Sequence, residues 1–192
     1  MAEGMLRTIL SDGGVRADVG SAGLLRGGAP ATRNAIAVMA DRGIDISRHV
    51  SRTIDSEAVR STPLIIGMTR EHVREAVVDH GADIARTFTL KELVRRGDAT
   101  GPRRPDETVF DWLARVTAGR SAADLAGDGH EDDIPDPVGR PRAAYEATAN
   151  ELDVLLRRLV ALMIGAVTRK ATYASSSHPG PIGDAGQATG VV

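Results

Sequence analysis

The chain has 192 residues, 42% of them hydrophobic, and its 24 Lys+Arg against 26 Asp+Glu leave a net charge of −2. That size and apolar content suit one domain with a real core, while the near-neutral balance gives no electrostatic basis for nucleic acid or an anionic membrane. Cysteine is absent, which excludes disulfides, thiolate metal sites and a cysteine nucleophile within these residues.

The opening MAEGMLRTIL spaces Ala2, Met5, Leu6, Ile9 and Leu10 at i, i+3, i+4 and predicts a helix with no capping residue ahead of it. A turn cluster at 11–14 precedes VRADVGSAG, where Val15, Ala17 and Val19 alternate and predict a short strand ending at Ser21. Gly27, Gly28 and Pro30 mark a loop, and Pro30 suits the first turn of a helix over ATRNAIAVMADRG that closes at Gly43. IDISRHVSR reads as loop. PLIIGM, a short apolar run bounded by breaks, fits a strand buried on both faces. Thr69 caps the next helix, REHVREAVVDHG, which Gly81 ends. Residues 87–90 are strand-like, and a short helix follows, ending near Gly97.

This alternation implies an α/β fold, a parallel sheet with helices on its faces, and its pattern calls for a strand ahead of the first helix. Residues 98–133 are polar and rich in Gly and Pro, and read as a surface insertion around one helix at 107–119. A long helix follows Pro141, with Tyr145, Leu152, Leu155, Leu156, Leu159 and Met163 as its apolar stripe. From 169 to 192 the chain is too poor in apolar residues to pack, so a disordered tail is expected behind a domain over 1–168. No apolar run reaches the ~20 residues that span a bilayer, and the first residues lack the pattern of a secretory signal. A cytoplasmic setting without membrane or nucleic-acid partners is the expectation.

Asp136 stands between Pro135 and Pro137 on a stiff stretch before a helix. A carboxylate held there suits a general acid, and Asp-Pro is equally ordinary turn chemistry. Ser21 falls at the C-terminal end of a predicted parallel strand, the edge where open α/β sheets bind ligands; turn residues also sit there. His49, on a loop, suits a hydrogen-bonding role beside a site or plain surface exposure. His72, His80, His130 and His178 share no metal-ligand spacing. Gly20, Gly23 and Gly27 do not form a nucleotide-binding signature. Neither metal nor cofactor is expected.

In order, MAEGML, VGSAGL, GAPAT, DRGIDISRHVSR, MTREH, TFTLKEL and DIPDPVGRP-x3-Y resemble successive blocks of the low-molecular-weight protein tyrosine phosphatases in their bacterial form. The resemblance runs from Met1 to about Met163. It implies a three-layer α/β fold with the first strand missing. In that family an apolar strand and a C-x5-R-S-P loop precede MAEG; the loop's thiolate attacks phosphorus, and its N–H groups and arginine hold the phosphate oxygens. The resemblance also implies that Asp136, followed by Pro137, is the general acid that protonates the leaving tyrosine oxygen and later activates water. Ser21 and His49 are implied to brace the phosphate loop.

Neither nucleophile nor loop is present in the sequence, so the chain as given is expected to be inactive, a truncated or mis-started form. A full-length protein would be a cofactor-independent phosphatase acting on phosphotyrosine proteins, a bacterial tyrosine kinase among them. Val138 stands where an aromatic residue often follows the Asp-Pro, and Leu24 and Leu25 stand where the family often has an aromatic wall. Two other readings stay open. One is a non-catalytic phosphatase-like binding module. The other is an arsenate reductase of the same fold, whose thioredoxin-coupled form is disfavoured by the lack of further cysteines.

Overall fold

The computed structural model describes residues 1–121 and 130–164. Its sheet consists of β1 (Ile65–Gly67) and β2 (Thr87–Thr89), which run parallel with Ile65 opposite Thr87 and Gly67 opposite Thr89. Both strands are buried throughout, and β1 sends alternate side chains to opposite faces. Leu64 and Ile66 join the larger apolar cluster with Met5, Val38, Phe88 and Leu156. Ile65 joins a smaller one with Ile54, Val59, Ala76 and Ala82. A strand that must fill two cores has no polar side, which is why PLIIGM is continuously apolar.

The larger cluster draws on α1 (Ala2–Asp12), α2 (Arg33–Ala40), α5 (Leu90–Thr100), α6 (Val109–Thr117) and α7 (Arg142–Ile164). The smaller one draws on α3 (Ser56–Ser61) and α4 (Arg70–Val78). Helices thus cover both faces of a parallel sheet, the three-layer α/β arrangement. No described helix is long and apolar enough to cross a membrane.

Helix starts follow their caps. Thr69 Oγ1 accepts from His72 N at 3.3 Å, and Thr108 and Asp111 form a reciprocal capping box. Asp55 Oδ2 accepts from Ala58 N at 2.9 Å and starts α3, a six-residue helix too short for periodicity to announce. Three expectations need correction. First, 15–21 is not a ladder strand: Arg16 and Asp18 are exposed and Val19 is buried, but Val15 N–H closes back on Leu10 O and the Arg7 guanidinium takes Val19 O. Second, α2 starts after Thr32, whose hydroxyl caps Ala35 N, and Pro30 instead bridges to Val50. Third, α5 runs through Gly97 to Thr100 and stops at Gly101, where φ is +84°.

The reading of 98–133 as a surface insertion is also revised where residues are described. Its helix, α6, drives Trp112, Leu113 and Val116 into the core, and Trp112 is 0% exposed. Gly97 makes room for that ring. A Cβ there would lie 2.9 Å from Leu162 Cδ1 and 3.0 Å from Trp112 Cζ2. Gly97→Ala is therefore expected to lose about 1–3 kcal/mol by overpacking, against the gain of roughly 1 kcal/mol usual inside a helix; urea unfolding measures the sign. The expected tail from 169, with His178, lies outside the described residues.

Candidate functional site

A cavity of about 1000 Å³ opens beyond the C-terminal end of β1, and Ser21, His49, Asp136 and Pro137 all line it. This is the edge at which open α/β sheets bind ligands. They come from three stretches of chain: the loop of Ser21, the loop of His49, and the loop that holds Asp136 and Pro137 side by side.

The N-terminus of α1 faces the cavity through Met1, Ala2, Glu3 and Gly4. Met1, the N-cap, provides no side-chain cap, and the first intrahelical bond is Met5 N to Met1 O at 3.1 Å. The N–H groups of Ala2, Glu3 and Gly4 therefore have no helical acceptor. With the positive end of the helix dipole they favour an anion.

Glu3 lies behind that end and is only 8% exposed. Ser21 Oγ donates to Glu3 Oε2, His49 Nδ1 stands 3.9 Å from the same oxygen, and Arg7 Nη1 is 2.5 Å from Oε1. One carboxylate thus ties α1 to the Ser21 loop, with the His49 ring nearby. Sequence reading missed it, because Glu3 and Arg7 at i, i+4 look like an ordinary exposed helix pair. Glu3→Gln is expected to destabilise the fold by roughly 1–3 kcal/mol, since the neutral amide cannot satisfy Arg7 and Ser21 as the carboxylate does; thermal unfolding checks it.

Asp136 is exposed on a loop fixed at both ends. Upstream, Ile134 is buried and donates from its N–H to Met68 O at 2.8 Å, and Thr148 Oγ1 donates to Pro135 O at 3.3 Å. Downstream, Asp136 Oδ1 accepts from Val138 N at 3.0 Å and Gly139 takes a φ of +77°. The approach to the loop is clamped as well. Asp133 Oδ1 accepts from Arg70 N at 2.8 Å, Lys91 Nζ donates to Asp133 O at 2.7 Å, and Arg95 pairs with Asp132 at 2.8 Å.

Burial pushes the Asp133 carboxyl up, but hydrogen bonds from His130 and from Arg70 N–H, with their charges, hold it below its ordinary value of 3.8. A group depressed in the folded state stabilises above its unfolded pKa and loses that contribution as pH falls through the folded one. The stability gap between the native chain and Asp133→Asn is thus expected to close as pH falls through the carboxylate range, as read by urea unfolding.

The opposite wall consists of loops 23–30 and 50–54. Gly23 N donates to Arg52 O, Gly28 N to Ser51 O and Ser51 N to Ala29 O, each at 2.8 Å. Gly27 is forced by this closeness, because a Cβ there would sit 2.8 Å from Ser51 O. His72 also lines the cavity, with its Nδ1 buried and unpartnered. Of the other described histidines, His80 meets Ser56 Oγ at 2.9 Å and His130 meets Asp133 at 2.7 Å, and neither lines the cavity.

The profile of the low molecular weight phosphotyrosine protein phosphatase family matches residues 1–112. The chain belongs to that family. It is similar to the protein-arginine-phosphatase of Bacillus subtilis (strain 168), 26% identical over 160 residues that cover 83% of this chain and 84% of that protein. It is also similar to a probable low molecular weight protein-tyrosine-phosphatase, EpsP, of Ralstonia solanacearum, 33% identical over 123 residues, 64% of this chain and 82% of that protein. Among solved structures, the low molecular weight protein tyrosine phosphatase of T. tengcongensis superposes with a TM-score of 0.61 at 26% identity, covering 83% of this chain and 86% of that one.

Proposed function

We propose that this cleft is the phosphate site of a phosphotyrosine protein phosphatase, with Asp136 as general acid and with Ser21 and His49, beside Glu3, as braces of the wall facing the phosphate. The observation that carries the reading is convergence: Asp136, on a loop fixed at both ends, opens onto the same cavity as the uncapped N-terminus of α1. An anion at that helix end has three free N–H donors and a favourable dipole. A phenolate leaving group, with a pKa near 10, needs a proton as its bond to phosphorus breaks, and an exposed carboxyl at the cleft mouth can give it. The resulting carboxylate can then take a proton from water in the second half-reaction.

The nucleophile is a separate matter. With no cysteine among the 192 residues, this chain cannot itself form a cysteinyl-phosphate. These residues supply acid, braces and helix dipole, and turnover needs a thiolate loop added to them. A tyrosine-phosphorylated bacterial protein, such as a tyrosine kinase, is the substrate we propose, in a cytoplasmic setting.

A second reading, phosphoarginine, is favoured by one feature. Leu24, Leu25 and Val138 offer no aromatic face for a phenol ring, and a relative is named a protein-arginine-phosphatase. Both readings meet one experiment: a C-x5-R-S-P strand-and-loop segment joined ahead of Met1, assayed on matched phosphotyrosine and phosphoarginine peptides. Hydrolysis that prefers phosphotyrosine supports the first reading, and preference for phosphoarginine supports the second. A folded fusion that cleaves neither overturns both.

A further inference from the structure

We propose that the mouth of the cleft is a docking surface for an acidic, aliphatic segment of the substrate protein flanking its phosphorylated residue. The inference rests on the phosphatase reading of the cleft and adds the sequence around the target.

The first observation is where apolar side chains are exposed. Leu25 is 85% exposed, Val50 53% and Val138 62%. Val50 and Val138 line the cavity, and Leu25 stands on the loop zipped against Val50's. Apolar patches rimmed by polar groups mark interaction sites, and these three side chains stand on loops that meet at one cleft. They are also held firmly. The loop of Leu25 is locked to that of Val50 by Gly27 N donating to Thr53 Oγ1 at 2.8 Å, besides the main-chain bonds. Val138 is fixed by its own N–H bond to Asp136. A preformed apolar rim loses little entropy when a peptide lies across it.

The second observation is charge. Arg26, Arg52 and Arg140 stand on the same loops, and none of the three has a carboxylate partner among the described residues, unlike Arg7, Arg70, Arg95 and Arg142. Of the carboxylates nearby, Glu3 is buried against Arg7 and Asp45 is offset by the Arg48 charge, so Asp136 alone is set against the three arginines. Unpaired arginines among aliphatic side chains select a partner with carboxylates and aliphatic residues. A second copy of this chain would bring the same arginines against themselves, so the occupant is a substrate segment.

Four peptides around one tyrosine test this, phosphorylated or not, with flanks of Asp, Glu, Leu and Val or of Lys, Ser and Gln. Their binding to the chain is followed by fluorescence anisotropy. Acidic aliphatic flanks are expected to bind about tenfold tighter in both phosphorylation states. Arg52→Glu is expected to abolish or invert the charge preference, and Val50→Ser with Val138→Ser to remove the aliphatic one. These positions are exposed, and circular dichroism verifies that each variant folds. Equal affinity for both flanks, or a flank preference untouched by the substitutions, overturns the proposal. The increment from phosphate alone reads the phosphatase assignment separately: if it is absent while the flank preference persists, that assignment fails and the docking surface stands.

Discussion

Asp136→Asn, in a chain carrying the C-x5-R-S-P segment, is expected to lower kcat on an aryl phosphate by about 10²–10⁴-fold, the usual worth of a general acid. The fold should not change. Asp136 is exposed, and an asparagine Oδ1 can still accept the Val138 N–H that shapes the loop. The loss in kcat/KM should depend on the leaving group. Phenols with a pKa near 10 need the proton and should suffer most, whereas strongly acidic phenols depart as anions and should suffer little. Because protonation acts in the transition state, kcat and kcat/KM are expected to fall together where chemistry limits both. An equal loss in kcat/KM for all leaving groups would instead assign Asp136 to holding the loop, because kcat/KM reports the step in which the leaving group departs.

Trp112→Ala is expected to cost about 3–5 kcal/mol, the range for deleting a large buried aromatic. The ring is fully buried, packs against Gly97 and Leu162, and donates from Nε1 to Gly101 O at 2.9 Å. Total stabilities of about 5–15 kcal/mol make that a large fraction. Urea unfolding followed by circular dichroism measures it. A loss under about 1 kcal/mol would mean that α6 lies on the domain as an appendage, as the polar composition around it suggests.

That contrast shows what composition conceals. Residues 98–133 average out as polar, yet Trp112, Leu113 and Val116 repeat at helical spacing on α6 and fill the core. Gly97 looked like a helix end because glycine usually is one there. It is interior because the Trp112 ring needs its missing side chain, a tertiary fact with no local trace. Where signals are local, the sequence was readable. Thr69 as a cap, PLIIGM as a strand buried on both sides, and Pro141 before α7 each depend on neighbours in the chain. The alternation at 15–21 correctly placed Val19 inside but could not say whether the backbone had a partner to pair with.

The candidate site was legible through resemblance more than through spacing. Taken singly, Ser21, His49 and Asp136 had bland alternatives, and the fold brings them to one cavity. Glu3, which joins Ser21 and Arg7 with His49 nearby, left no mark beyond an i, i+4 charge pair.

The most direct measurement is a titration of the ¹⁵N-labelled chain with phenyl phosphate, following backbone amide shifts. NMR detects weak binding, so it suits a cleft assembled without the thiolate loop. Saturable shifts at Ala2, Glu3 and Gly4, spreading to Ser21, His49 and Val138, are the predicted result. Shifts confined to the second cavity, lined by Asp12, Arg42 and Arg157, or no saturable shifts at all, would contradict the assignment of this cleft as the phosphate site.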